Sequence, residues 1–144
     1  MSKDALPDLA QQLHSAAIHL LRRLRRSDDQ MGLSGPRASA LSVLVFGGPA
    51  SLAQLAKAEQ VKPPTMARLV DALEAAGLAR RDADKSDLRA VRIRATAKGR
   101  KLLLEGRARR LNQLTKMLEA ATASERAALT SAVGTLQRLL KQSD

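Results

Sequence analysis

The stretch KPPTMARLVDALEAAGLARR, residues 62–81, decides how the rest of the chain reads. Proline is tolerated in a first helical turn, where the N–H it lacks has no intrahelical partner, so Pro63 and Pro64 mark a start. Gly77 can take the left-handed conformation that ends a helix, so a short rod is predicted from Pro63 to about Ala76. At about 100° per residue, Met66, Leu69, Val70 and Leu73 share one side. Pro64, Arg68, Asp71 and Ala75 fall opposite, with Thr65 and Ala67 on the flanks. One side of the rod is built for a core and the other for something outside it.

Upstream, Leu9, Leu13, Ala17, Leu20 and Leu24 recur at three- and four-residue steps and predict a helix over 8–26. SDDQMGLSGP (27–36) is a loop in which Ser34 can cap a second helix, with Pro36 in its first turn and GGP (47–49) at its end. Ser51 and Gln54 have capping-box spacing, which predicts a third, short helix from Leu52 to about Glu59, and QVKPP then forms the turn into the rod. Downstream the period changes. In AVRIRA (90–95) Val91 and Ile93 alternate with Arg92 and Arg94, the signature of a half-buried strand that LARR can pair with. DADKSDLR (82–89) is then the hairpin tip. Thr96 can cap a long helix over about 97–120 with Leu104, Leu111, Leu114 and Leu118 on one face. TASE (122–125) is a second capping box before a last helix striped by Leu129, Val133, Leu136 and Leu140.

The fold class is therefore mainly α with a small β-hairpin wing: a winged helix-turn-helix flanked by N- and C-terminal dimerisation helices. Residues 34–96 form the DNA-binding region, and residues 1–33 with 97–144 the helical dimerisation region, within one compact domain. The terminal leucine stripes call for a partner, and a second copy of the chain is the economical one.

Charge says what the partner of the middle region is. The 144 residues carry a net charge of +11, and aromatic residues are reduced to Phe46. A basic balance points to phosphate-bearing partners. Without aromatic platforms, stacking on single-stranded nucleic acid is poorly supported and duplex DNA fits better. From Arg80 to Lys101 nine basic residues face only Asp82, Asp84 and Asp87, which leaves six of the eleven net positive charges on the hairpin and its edges. Charge runs are most often solvated faces. This one follows a two-helix unit on a hairpin, where such wings lie along a DNA backbone, so Arg81, Lys85 and Arg89 are wing candidates. A recognition helix uses its N-terminal residues on base edges, which selects Pro64, Thr65 and Arg68. Arg68 can read a guanine or hold a phosphate, and its bland alternative is a salt bridge to Asp71 or Glu74. Asp71 itself fits an orienting partner better than a DNA contact.

From 63 to 99, PPTMARLVDALEAAGLARRDADKSDLRAVRIRATAKG resembles the MarR (multiple-antibiotic-resistance regulator) family of bacterial transcription regulators. The resemblance extends over nearly the whole chain in length and element order. It lies in the recognition helix, the Gly-Leu-x-x-Arg approach to the wing, the Asp-x-Arg wing signature and the Thr-x-x-Gly start of the next helix. It implies that Asp87 holds Arg89 against DNA and that Thr65 and Arg68 face the major groove. It also implies a homodimer on a pseudo-palindromic operator, often released by a small ligand bound in the crevice between winged and helical regions. The sequence departs from the family where Leu33 and Ser34 are followed by Arg37, which cannot complete a reciprocal cap and opposes the helix dipole, turning Arg37 toward phosphate. Leu88 stands where a second basic residue is common, so the tip contacts fewer phosphates. Lys62, Pro63 and Pro64 replace a side-chain cap with two missing donors, which leaves Lys62 poised for a phosphate, and Ser51 is a further phosphate candidate at its own helix start.

Other chemistry finds little support. Zero cysteines remove thiolate nucleophiles, disulfides and cysteine-ligated zinc. His14 and His19 diverge by about 140° on a helix, which argues against a shared metal. No nucleophile motif, P-loop or dinucleotide fingerprint occurs, so the chain reads as a non-enzyme without cofactors. LRRLRR (21–26) could touch membrane or nucleic acid, but a solvated helix end is the better reading. The N-terminal residues lack the apolar core of a signal peptide and no stretch approaches a membrane span, so a soluble cytoplasmic protein is expected. The ligand pocket, a small anionic or aromatic effector being the class implied, is expected to be aliphatic and methionine-lined with arginines at its rim. The leading reading is a dimeric repressor that binds duplex DNA sequence-specifically; set against it are a winged-helix adapter whose partner is protein and a nucleoid-type protein without sequence preference, and salt dependence and site preference separate them.

Overall fold

The computed structural model describes residues 3, 5–29, 32–33, 35–83, 86 and 90–142, with the side chains of 27–29 left out. Element order is α1 (Ala5–Asp29), α2 (Gly35–Gly47), α3 (Leu52–Ala58), α4 (Pro63–Ala75), β1 (Ala79–Ala83), β2 (Val91–Ala95), α5 (Ala97–Glu119) and α6 (Ala123–Lys141). Two compact units are present, Met1–Ala108 and Arg109–Asp144. Among the described residues no helix is long and apolar enough to cross a membrane. The cap foreseen at Ser34 lies outside the described residues.

In the first unit, the apolar side of α4 supplies the centre of the core. Met66 and Val70 are fully buried and Leu73 nearly so, against Leu41 of α2, Leu55 of α3, Ile93 of β2 and Leu103 of α5. Local chemistry sets the helix limits. Ser51 Oγ accepts from the Gln54 N–H at 3.1 Å while Gln54 Oε1 accepts from the Ser51 N–H at 2.9 Å, a complete capping box. Helix α4 ends in a Schellman motif: Gly77, at φ +73, donates to the Glu74 carbonyl and Leu78 donates to that of Leu73, each at 2.9 Å. Leu73 and Leu78, both buried, supply the accompanying apolar contact. Helix α3 ends in the same pattern, with Val61 donating to Ala56 and Gln60 to Lys57, but the left-handed position is Gln60 at φ 55. A residue with a Cβ there carries backbone strain that glycine does not.

The hairpin is antiparallel, with Ala79 opposite Ala95, Arg81 opposite Ile93 and Ala83 opposite Val91. Strand β1 runs on through Asp82 and Ala83, two residues into the stretch assigned to the tip. The alternation foreseen for β2 is buried only at Ile93. Val91 is 51% exposed, because it sits toward the tip, beyond the edge of the core. Ile93 is also bridged on its other side by Ala50, through hydrogen bonds of 2.8 and 3.0 Å, an isolated β-bridge beside the hairpin that the sequence reading missed.

The start of α5 is fastened to the end of α4. Thr96 Oγ1 donates to the Gly77 carbonyl at 2.6 Å and accepts from the Gly99 N–H at 3.1 Å, its own N–H reaches Leu78 O at 3.0 Å, and Lys98 Nζ donates to Ala76 O at 2.9 Å. Gly99 lies so close to the Leu78 backbone that a Cβ would collide with its carbonyl.

In the second unit, Thr122 and Glu125 form the foreseen capping box at the start of α6. Arg126 turns back to donate to the carbonyls of Leu118, Glu119 and Ala121, at and just past the end of α5. Among the described residues, α6 buries none of its side chains; Leu129, Val133 and Leu140 are about half exposed or more. Leu6, Leu9, Leu13 and Leu20 of α1 are likewise exposed in the first unit.

Candidate nucleic-acid interface

The N-terminal turn of α4 stands clear of the core that holds its opposite side. Lys62, Pro63, Pro64, Thr65 and Arg68 are all exposed, while Met66, Val70 and Leu73 anchor the rod. Lys62 is the N-cap in extended conformation and makes no side-chain cap, so the prolines shorten the roll of orphan donors and leave its ammonium unengaged there. The salt bridge weighed for Arg68 does not form. Among the described residues Arg68 has no ion pair, because both acids it could have used belong to another arginine.

That arginine is Arg81. Its guanidinium donates to Asp71 at 3.0 Å and to Glu74, both on α4. Strand register explains the reach: Arg81 faces Ile93 across the ladder, so it projects on the core side of the hairpin, where β1 packs on α4. Burial pulls the guanidinium pKa down, but the hydrogen bond to Asp71 and the charge of Glu74 outweigh it and hold the value above the ordinary one. Arg81, expected along the DNA backbone, is held here on the acids of α4, and Asp71, foreseen as an orienting partner, pairs with Arg81 and not with Arg68.

The outer face of the hairpin carries Arg80, Asp82, Arg92 and Arg94. Asp82 ties down two of them, with Nε···O distances of 3.2 Å to Arg80 and 2.7 Å to Arg94. Lys101 lies 3.9 Å from Glu105 and Lys98 is engaged on Ala76. Much of the positive run thus neutralises or caps the base of the hairpin. Lys85, Asp87 and Arg89, the tip candidates, lie outside the described residues. Of the phosphate candidates, Arg37 is exposed in the first turn of α2, and Ser51 is half-buried with its Oγ accepting from Gln54, its hydroxyl proton still available to an anion.

A cleft of about 270 Å³ in the first unit is lined by Leu44, Val45, Pro49, Arg94, Thr96 and Arg100. Its lining is aliphatic with two arginines and no methionine, and Met66 is buried in the core. Phe46 stands 63% exposed beside α2's end, with the Arg107 guanidinium 5.9 Å from its ring centre. No group of three metal-ligating residues occurs among the described residues.

A family model described as MarR family matches residues 33–91. Over 135 residues the chain is 31% identical to an HTH-type transcriptional regulator of Mycobacterium tuberculosis, covering 94% of each. A MarR family protein from Bacillus stearothermophilus has the same fold, with a TM-score of 0.87 at 25% identity over 98% of this chain and 99% of that one. A mutant of MepR from Staphylococcus aureus bound to an oligodeoxyribonucleotide is similar at a TM-score of 0.68 and 18% identity, covering 92% and 97%.

Proposed function

Because the chain belongs to the MarR family of HTH-type transcriptional regulators, we propose that it is a repressor that binds a pseudo-palindromic duplex operator as a homodimer. The observation that carries this reading is the anchored rod with a bare tip: Lys62, Pro64, Thr65 and Arg68 exposed on one side, Met66 and Val70 sealed on the other. In this reading Thr65 and Arg68 enter the major groove, Lys62, Arg37 and Ser51 hold phosphates, and the tip residues Lys85 and Arg89, with Asp87 steadying Arg89, follow the backbone. Arg81 sets the angle between wing and rod. The similar fold of a MepR mutant that carries an oligodeoxyribonucleotide supports the duplex as partner.

Dimerisation is supported by the leucines left in water. Leu6, Leu9 and Leu13 on α1, and Leu129, Val133 and Leu140 on α6, are each 44–69% exposed, so each forgoes roughly half of the about 1.5–3 kcal/mol that full burial gives. A second copy offers matching stripes. Release by a small anionic or aromatic ligand is supported by the arginine-lined cleft beside Thr96, the residue that fastens α5 to α4. The test is selection of bound duplexes from a random pool, followed by gel-shift titration. Recovery of a two-fold symmetric site preferred by about 10³-fold or more is expected. Bound sequences without any consensus would replace the regulator by a nucleoid-type protein, and no binding would favour the protein-adapter reading.

A further inference from the structure

The arginines near the end of α1 were read from sequence as a solvated helix end, and the contacts around them give them more to do. Four arginines, Arg22, Arg23, Arg25 and Arg26, fall within LRRLRR. Leu24, 8% exposed, fixes the roll of the helix. With Leu24 inward, Arg22 and Arg26 lie about 160–200° away and Arg25 about 100° to one side, so these three share a single outward sector.

Contacts tie that sector to the start of the recognition helix. The Arg25 Nε lies 3.8 Å from where a Cβ on Gly35 would stand, at the first residue of α2. One turn further, Ser39 Oγ donates to Glu59 at 2.6 Å, and Glu59 is the C-cap of α3, three residues before the N-cap Lys62. Arg25, Gly35, Arg37, Ser39, Glu59 and Lys62 thus follow one another from the end of α1 to the exposed tip of α4. Among the described residues Arg22, Arg25, Arg26 and Arg37 enter no ion pair. The first turn of α2 has no acid. Asp28 and Asp29 are the acids nearest in sequence, and their side chains lie outside the described residues. Like charges held this close repel, and a polyanion relieves that repulsion by releasing its condensed counterions.

We propose that Arg22, Arg25 and Arg26 form a second phosphate-contacting surface, which extends the footprint of each protomer onto duplex flanking the half-site read by α4. This rests on the DNA-binding reading above. The contact is to backbone alone, so it adds affinity and salt dependence without sequence preference.

The experiment titrates wild-type protein and Arg22→Gln/Arg25→Gln/Arg26→Gln at several salt concentrations. Two duplexes are used: a selected site with long flanks, and the same site trimmed to the half-sites. On the long duplex the variant should lower the log–log salt slope by about 0.9 for each arginine engaged. Wild type on the trimmed duplex should fall to the variant's level, and the variant should be indifferent to trimming. A lysine triple variant, Arg22→Lys/Arg25→Lys/Arg26→Lys, keeps the charges and should keep the slope. Equal slopes for wild type and the Gln variant overturn the proposal, as does an equal loss on long and trimmed duplexes. Binding to phosphatidylserine-containing vesicles that vanishes in the Gln variant while the DNA slope is unchanged would assign the patch to a lipid surface and overturn it too. Unaltered slopes with intact site preference sink this proposal alone; a wild-type protein that binds no duplex sinks the regulator reading with it.

Discussion

Arg81→Ala separates a residue that touches DNA from one that aims others at it. In the structure the guanidinium is about one-third exposed, Glu74 is similar, and Asp71 is two-thirds exposed. Solvent screening at that exposure leaves each pair worth about 0.5 kcal/mol or somewhat more, so the variant should lose about 1 kcal/mol of stability, roughly 3 °C in melting temperature. Its effect on DNA should be larger than a fold loss of this size explains. Two carboxylates on α4 are released beside a phosphate backbone, and the hairpin loses its tie to the rod. A loss of about tenfold in operator affinity, or about 1.4 kcal/mol, is expected. Fluorescence anisotropy titrations of a labelled operator over a salt series provide the assay. If Arg81 acts as a tie, the salt slope stays nearly constant, and Asp71→Asn/Glu74→Gln added to Arg81→Ala recovers at least half of the lost affinity on the logarithmic scale. A slope reduced by about 0.9, with no recovery in the triple variant, would mean that Arg81 holds a phosphate itself and that the contact with α4 is incidental.

Arg68→Ala should cost about 1–3 kcal/mol on the selected site if the side chain reads a base, and the same on every sequence if it holds a phosphate; gel shifts on cognate and scrambled duplexes distinguish the two. Val133→Asp, at a side chain half exposed on α6, should leave helicity intact by circular dichroism yet shift sedimentation to the monomer and abolish operator binding; a variant that stays dimeric would move the interface elsewhere. Gln60→Gly should raise stability by about 0.5–1 kcal/mol in denaturant titrations, because glycine occupies φ 55 without steric cost. Gly99→Ala should destabilise by about 3 kcal/mol, since the collision is with the Leu78 backbone and not with a side chain that can swing away.

What was legible in the sequence was local. Ser51 with Gln54, Thr122 with Glu125, and Pro63 with Gly77 each specify a helix limit through neighbours a few residues away, and each is observed. The buried side of α4 followed from period alone, since Met66, Val70 and Leu73 repeat with the helix. The partners of the arginines were not legible. Nine basic side chains in a run look alike until strand register puts Arg81 on the inner face with α4's acids and Arg80 and Arg94 on the outer face with Asp82. The Ala50–Ile93 bridge joins residues far apart in the chain, and neither carries a local signal of it. Val91 has the right alternation and the wrong place: period tells which face a side chain is on, and the extent of the core tells whether that face is covered.

Helix α4 is a beam held at its root and along one side. Its root, at Ala76–Leu78, is clamped by Thr96, Lys98, Gly99 and its own Schellman turn, and Met66, Val70 and Leu73 seat its length in the core, so only the turn at Lys62–Thr65 stands clear. A beam seated along one side moves as one piece, so under the DNA-binding reading proposed above the exposed turn is offered to a groove in a fixed attitude. In that reading a load applied at the root, from a ligand in the cleft beside Thr96 or from a shift in α5, would turn the whole rod with it.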